Sequence, residues 1–214
     1  MTTKLYGKNK DYVSYSALRV WKESRDLYRR KYYDGQLDTG TVYTRFGKRV
    51  AEILEKRDFT DFPELHQIPH YPISEQSIEI ELEGIKVKGY LDLFDPATNA
   101  FGEVKTGIAN PTKVAPWSRV TVRKHEQLPF YSLLIKKKFG TVTNRCNLIW
   151  LETRFIRVED TIGSRRMDRD SDDLELTGKM QIFPRSIYQW ERDRIEQMII
   201  NTANEIAIDY ESYR

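Results

Sequence analysis

The 214-residue sequence predicts an α+β fold, a mixed central sheet flanked by helices, in the order helix, three-strand meander, helix, strand. Three observations carry that expectation. Between Ile73 and Lys105 three alternating runs are separated by two turn signals. Apolar residues at helical spacing stand before and after them. A largely apolar run, Arg145–Leu151 (RCNLIWL), has the character of a strand buried in a sheet.

The first helix is expected from about Ser16 to Tyr33, with Ser14 and Ser16 as caps and Leu18, Trp21, Arg25 and Tyr28 on one stripe; Gly35 ends it. A second helix covers about Thr41 to Lys56, with Val42, Phe46, Val50 and Ile53 inward. The linker Asp58–Pro72 holds His66 and His70 at a one-turn spacing, but Pro63, Pro69 and Pro72 argue against a helix and so against a two-histidine metal site.

Ile73–Leu82 (ISEQSIEIEL) then alternates as a strand and turns at Glu83-Gly84. An irregular basic loop spans Thr106–Val122, and a helix covers about Arg123–Phe139, with Gln127 and Tyr131 four apart on one face. Pro129 sits near its first turn, where proline costs least. After the apolar strand, Phe155–Val158 and Lys179–Phe183 suggest a hairpin, with Asp168–Asp173 as a charged loop. That loop lacks the glycine and closing glutamate of a calcium loop. A final helix covers about Arg185–Tyr210, with Ile187, Trp190, Ile195, Met198 and Ile199 packed. One domain is expected over residues 1–214: a core of about 14–152, an insertion at 153–183 and the last helix at 184–210.

The segment Lys86–Lys105 (KVKGYLDLFDPATNAFGEVK) is where the sequence points to chemistry. Alternation puts Ile85, Val87, Leu91 and Leu93 on one face and Lys86, Lys88, Tyr90 and Asp92 on the other. With Pro96–Asn99 as the turn, Asp95 pairs with Ala100 and Asp92 lies across from Glu103. Opposed carboxylates with Cβ atoms about 5 Å apart repel. A cation between them relieves that repulsion. Lys105 lies two residues on, on the same face as Glu103 and Phe101, with Val104 opposite. Asp92, Glu103 and Lys105 are all expected to point into solvent, so that replacing any of them should spare the fold.

Net charge is +3, unevenly spread. Ala51–Glu103 holds 12 acids against 4 Lys or Arg, a net of −8; Lys105–Arg145 holds 9 Lys or Arg against 1 acid, a net of +8. Residues 1–36 add 9 bases against 4 acids. An acidic metal-binding stretch flanked by basic ones suits a polyanionic substrate; ordinary solvated charge is the plainer alternative. The single cysteine, Cys146, excludes an intramolecular disulfide and any four-cysteine zinc or iron–sulfur site. No apolar run reaches transmembrane length, and the amino terminus lacks a signal-peptide core, so no membrane partner and a reducing cytoplasm are expected.

Gly89-Tyr90-Leu91-Asp92, then Gly102-Glu103-Val104-Lys105, then Gln127-Leu128-Pro129-Phe130-Tyr131 resemble the core of the PD-(D/E)XK nuclease superfamily, in particular its RecB-type branch of phage and CRISPR-associated exonucleases. Ser14-Tyr15-Ser16-Ala17-Leu18 is similar to that branch's Ser-x-Ser-x-Leu opening. Each motif is weak alone; order, spacing and strand phase together are specific. The resemblance implies a restriction-endonuclease-like core and a Mg²⁺- or Mn²⁺-dependent deoxyribonuclease, an exonuclease of phage or bacterial DNA recombination or repair, with DNA as partner alongside a recombination or replication protein. Asp92, Glu103 and the Val104 carbonyl are the implied metal ligands. Lys105 is implied to act on the water or on a phosphate oxygen, with Gln127 and Tyr131 as positioning residues.

The sequence departs from the branch at two points. Where Gly-x-x-x-His is usual, Gly47 leads to Ala51, leaving Glu52 or Glu55 as the replacement ligand, with Glu52 preferred. The cysteine cluster of the iron–sulfur members is also missing. The +8 stretch places Trp117, Arg119, Arg123 and Lys124 between the Glu-x-Lys strand and the Gln-x-x-x-Tyr helix, as phosphate contacts and a stacking platform for DNA. Two other classes stand beside the nuclease: a nucleic-acid-binding protein of the same fold without turnover, and an unrelated hydrolase or structural protein.

Overall fold

The computed structural model describes residues 5–36, 40–108, 116–162 and 165–214, and only the backbone within 157–172. The expected fold class is observed. A six-stranded mixed sheet runs β1 (Tyr12–Val13), β3 (Ile85–Asp95), β4 (Ala100–Ile108), β5 (Arg145–Ile162), β6 (Arg165–Ser186), with β2 (Ile73–Leu82) also paired to β3. β2, β3 and β4 form the antiparallel meander, while β4–β5 and β1–β3 are parallel. Helices cover both faces. α1 (Tyr15–Glu23), α5 (Gln127–Phe139) and α6 (Gln189–Tyr213) lie on one side, and α3 (Val42–Lys56) lies on the other.

Turn chemistry sets the register. Glu83 and Gly84 both take positive φ, 48° and 76°, as a two-residue hairpin turn requires, and this fixes Leu82 opposite Ile85. In the next turn the Asp95 carboxylate accepts from the Ala97 N–H (2.9 Å) and the Thr98 hydroxyl (2.6 Å), while Asn99 takes φ 52°. Asp95 then pairs with Ala100, as expected.

β5 shows why its sequence reads as an unbroken apolar run. Leu148 and Trp150 pack under α5 and α6, whereas Ile149 and Leu151 pack against Phe46, Val50 and Leu54 of α3. Both faces are buried, so both phases are apolar.

The alternation of β2 and β3 slips where the site lies. Ile85, Val87 and Leu91 join the α5-side core, yet Leu93 joins the α3-side core and Phe94 returns to the first. Leu93 therefore does not share a face with Leu91. On β2, Ile78, Ile80 and Leu82 face α5, and so does Ile73, five residues before Ile78. The two slips meet at Glu75 and Asp92, which the pairing on either side sets opposite each other; Glu75 has φ 53°.

Several expected boundaries are corrected. The first helix breaks at Ser24, whose extended backbone and side chain, accepting from the Leu27 N–H (3.2 Å), restart it as α2 (Arg25–Tyr28), followed by a π turn over Arg29–Tyr33. Arg25 is exposed. In the basic loop, residues 109–115 lie outside the described residues. Within the rest, β4 extends to Ile108 and a short α4 (Arg119–Arg123), capped by Ser118, precedes α5, which begins only at Gln127. Phe155 pairs with Leu174, not with Lys179–Phe183, and the backbone of Asp168–Asp173 is strand, not loop, in one long β5–β6 hairpin. Trp190, expected in the packed face of the last helix, is 62% exposed.

Among the described residues no helix is long and apolar enough to cross a membrane.

Candidate active site

Gly89 allows α5 to lie directly on the sheet. A Cβ there would stand 2.7 Å from Leu134 Cδ1 and 3.0 Å from Tyr131 Cε1. That close approach brings the first turn of α5, with Gln127 and Tyr131 on one face, against the end of β4.

The β3–β4 pairing is recorded through Leu93↔Gly102, one step short of Asp92 and Glu103. Asp92 Oδ2 instead accepts from the Val104 N–H at 2.7 Å, so this carboxylate reaches past its expected opposite and fixes the neighbouring strand itself. Beside this junction lies a cavity of about 300 Å³. Glu75, Asp92, Glu103, Lys105 and Gln127 reach it, with Gly47, Val50, Ala51 and Leu54 of α3 as its far wall.

Lys105 holds the site together. Its Nζ lies 2.5 Å from Glu103 Oε1 and donates to Gln127 Oε1 at 3.0 Å, while Gln127 Nε2 donates to the Tyr131 hydroxyl at 2.9 Å. The sequence-predicted group Asp92, Glu103, Val104, Lys105, Gln127 and Tyr131 is thus brought together.

Glu103 corrects the expectation of three solvent-facing groups. It is only 1% exposed, and its Oε2 has no hydrogen-bond partner. Burial raises its pKa well above the usual carboxylate range, and Asp92 raises it further against the pull of Lys105. Asp92 is raised as well, by burial, with Lys105 and the Val104 N–H opposing. Burial works to lower Lys105, but Glu103 and Asp92 outweigh it and hold the group as an ammonium. Burial also raises Tyr131, whose hydroxyl stays protonated.

Glu52 is not brought to the cavity. α3 turns Val50, Ala51 and Leu54 toward it, and Glu52 and Glu55 are exposed. Sequence reasoning missed Glu75. Its carboxyl is raised to about 7 by burial, then by Asp92 and Glu55. Counting back from the Glu83-Gly84 turn puts Glu75 opposite Asp92, a second carboxylate pair of the kind already noted between Asp92 and Glu103.

His125 was also missed. Burial, then Lys105, Arg185 and Arg19, lower it to about 4 and keep the ring neutral. Arg19, in the Ser-x-Ser-x-Leu helix, also bears on Lys105.

The donor set suits a hard divalent cation: the carboxylates of Asp92 and Glu103, the latter with a buried oxygen without a partner. Among the described residues no three His, Cys, Asp or Glu side chains form a ready-made metal cluster. Two carboxylates, completed by water, fit Mg²⁺, which keeps several waters.

The expected DNA-contacting residues divide. Arg119, Arg123 and Lys124 are exposed, whereas Trp117 is half-buried, with its ring 5.0 Å from that of His125. Arg119 and Arg123 line a second cleft, closed on its far side by the start of α6.

No protein-family model and no curated protein matches the chain. Solved structures do. A candidate exonuclease from Eubacterium rectale aligns over 93% of this chain and 82% of its own, with a TM-score of 0.56 and 13% identity. A phage-related exonuclease from Haemophilus somnus 129PT aligns over 92% and 82%, with a TM-score of 0.50 and 14% identity. At such low identity the likeness establishes the fold, a mixed sheet flanked by helices, and that fold is the one implied by the motif residues Asp92, Glu103, Lys105, Gln127 and Tyr131.

Proposed function

We propose that this protein is a metal-dependent deoxyribonuclease that hydrolyses phosphodiester bonds, an exonuclease of DNA recombination or repair. The observation that carries the reading is the junction of Asp92, Glu103 and Lys105, with a buried Glu103 oxygen that has no partner. A surface ion network would be exposed and satisfied; this one is neither.

Asp92, Glu103 and the Val104 carbonyl would hold Mg²⁺ or Mn²⁺, with Glu75 in place of the proposed Glu52. The ion, when bound, acidifies water and offsets charge that grows on the phosphate oxygens. Lys105, an ammonium fixed between Glu103 and Gln127, donates to a nonbridging phosphate oxygen and has no proton vacancy for a base role. Gln127 orients that ammonium, and Tyr131 orients Gln127. Arg19, whose charge bears on Lys105, and the exposed Arg119, Arg123 and Lys124 would serve as phosphate contacts.

A second reading, a nucleic-acid-binding protein of this fold without turnover, is favoured by Ala51, which stands on the cavity wall where a ligand residue is usual. One experiment separates the two. End-labelled linear DNA and closed circular DNA are digested with Mg²⁺, Mn²⁺, Ca²⁺ or chelator, by the wild type and by Glu103→Ala. Cleavage with Mg²⁺ or Mn²⁺, little with Ca²⁺ and none in the variant supports the nuclease. Loss of label from linear DNA alone supports an exonuclease. Full activity in Glu103→Ala, or activity that survives chelation, overturns the reading.

A further inference from the structure

The cleft beside α4 has the composition of a binding surface. Arg119 and Arg123 stand one helical turn apart on one wall, and Tyr188 and Trp190, at the start of α6, stand on the other. Its volume is about 530 Å³. Tyr188 and Trp190 are 60% and 62% exposed. Tyr188 and Trp190 thus put two open aromatic rings on a cleft that also holds two cations.

The cleft floor is rigid and electrically quiet. Arg185 and Glu191 form a buried ion pair with each other, and Glu191 Oε2 accepts from the Tyr188 N–H at 3.0 Å, fixing the start of α6. The remaining charge on the walls is positive. Arg119 and Arg123 are exposed and make no ion pair with a described residue.

The cleft also connects to the catalytic side. Arg185 Nη1 donates to the His125 carbonyl at 2.7 Å, and His125 lies two residues before Gln127, which holds Lys105.

We infer that this cleft binds single-stranded nucleic acid, with bases stacked on Trp190 and Tyr188 and phosphates held by Arg119 and Arg123. Every base offers a π face, so stacking grips an unpaired strand without reading its sequence, and a duplex keeps those faces covered. The stacking role first given to Trp117 thus moves to Trp190, because Trp117 is occupied by His125. The inference rests on the nuclease reading for its polymer, DNA, but the test reads binding in a protein that cannot cut.

In a Glu103→Gln background, measure the affinity for fluorescein-labelled oligothymidylate and for a blunt duplex of equal length across a salt series. Trp190→Ala is expected to weaken single-strand affinity by roughly 10-fold and duplex affinity by less than about 2-fold, with Trp190→Phe restoring most of the loss. Arg119→Ala with Arg123→Ala should make the single-strand salt slope shallower by about 1.4, two phosphate contacts at about 0.7 each. Trp190 is exposed, so thermal unfolding of the variants should match the parent. Unchanged single-strand affinity in Trp190→Ala, or equal losses for single strand and duplex, overturns the inference, as does a cleft that captures peptide and no nucleic acid. Cleavage by the wild type with no effect of Trp190 sinks the cleft alone. Tight single-strand binding that needs Trp190, in a wild type that never cuts, sinks the nuclease alone.

Discussion

In the carboxylate cavity, charge meets charge. Lys105 touches Glu103 and Gln127, Asp92 takes the Val104 N–H, and burial has moved the proton affinities of both acids upward. In the cleft between α4 and α6, Arg119, Arg123, Tyr188 and Trp190 stand open to solvent above an ion pair that is already satisfied. The first region holds its groups in fixed relation, the arrangement that the proposed hydrolysis would need. The second leaves its groups in water, as the inferred strand site would need. Fixed charge and open contact surface are thus built differently in one fold.

The sharpest way to break this contrast is at Glu103. Glu103→Ala should lower DNA cleavage by about 10³-fold or more, the scale of losing a metal-borne stabilisation of several kcal/mol. Glu103→Gln relieves the repulsion with Asp92 but also removes the charge paired with the buried Lys105, so without metal it should unfold more easily than the wild type by no more than about 3–5 kcal/mol. A larger stability loss in that variant, read by denaturant titration, would mean that the acid is structural.

His125 tests the electrostatics that join the two regions. Its folded value of about 4 lies below the ordinary 6.5, so the neutral ring's contribution is present above about pH 6.5 and is lost as pH falls toward 4. The groups facing it are the cations Lys105, Arg185 and Arg19. At about 1.4 kcal/mol per unit, the slope integrates to at most about 3.5 kcal/mol. His125→Gln should remove that acid-side decline relative to wild type, by comparison of unfolding midpoints from pH 4 to 7. Parallel pH profiles would show that the ring is not held neutral.

Gly89 tests the close packing of α5. Gly89→Ala forces Leu134 and Tyr131 aside and should cost about 1–3 kcal/mol of stability. It should also lower cleavage more than binding, because Tyr131 and Gln127 move while α4 does not. Smallest of all, Glu52→Ala should change activity by less than about 2-fold, since Glu52 is exposed and off the cavity wall. Glu75→Gln should reduce it by tenfold or more. The reverse order would restore Glu52 as the ligand.

The meander was legible because short-range turn chemistry fixes it. Glu83-Gly84 and Asp95–Asn99 set two registers within a few residues, and β2 and β3 follow from them. Glu75 was within reach of the same counting, but alternation treats a strand as regular, and the slip at Glu75 and Asp92 is a tertiary event. The exposure of Trp190 was not legible, because a tryptophan at helical spacing among Ile187, Ile195 and Ile199 reads as core whichever way it turns. Nor was the break at Ser24, where a serine that fits a helix exposed to solvent fits a cap equally well. The β5–β6 hairpin was expected, but its pairing and its length were not, for a related reason: backbone pairing holds Asp168–Asp173 in a strand that its composition does not suggest.

The most direct test of the central claim is calorimetric titration of Mn²⁺ into the wild type and into Glu103→Gln, each in two buffers of different ionisation heat. Saturable binding to the wild type with release of protons is expected, because carboxyls raised by burial, and Glu103 also by Asp92, must give them up, and no such binding is expected in the variant. Equal Mn²⁺ binding by both proteins would contradict it.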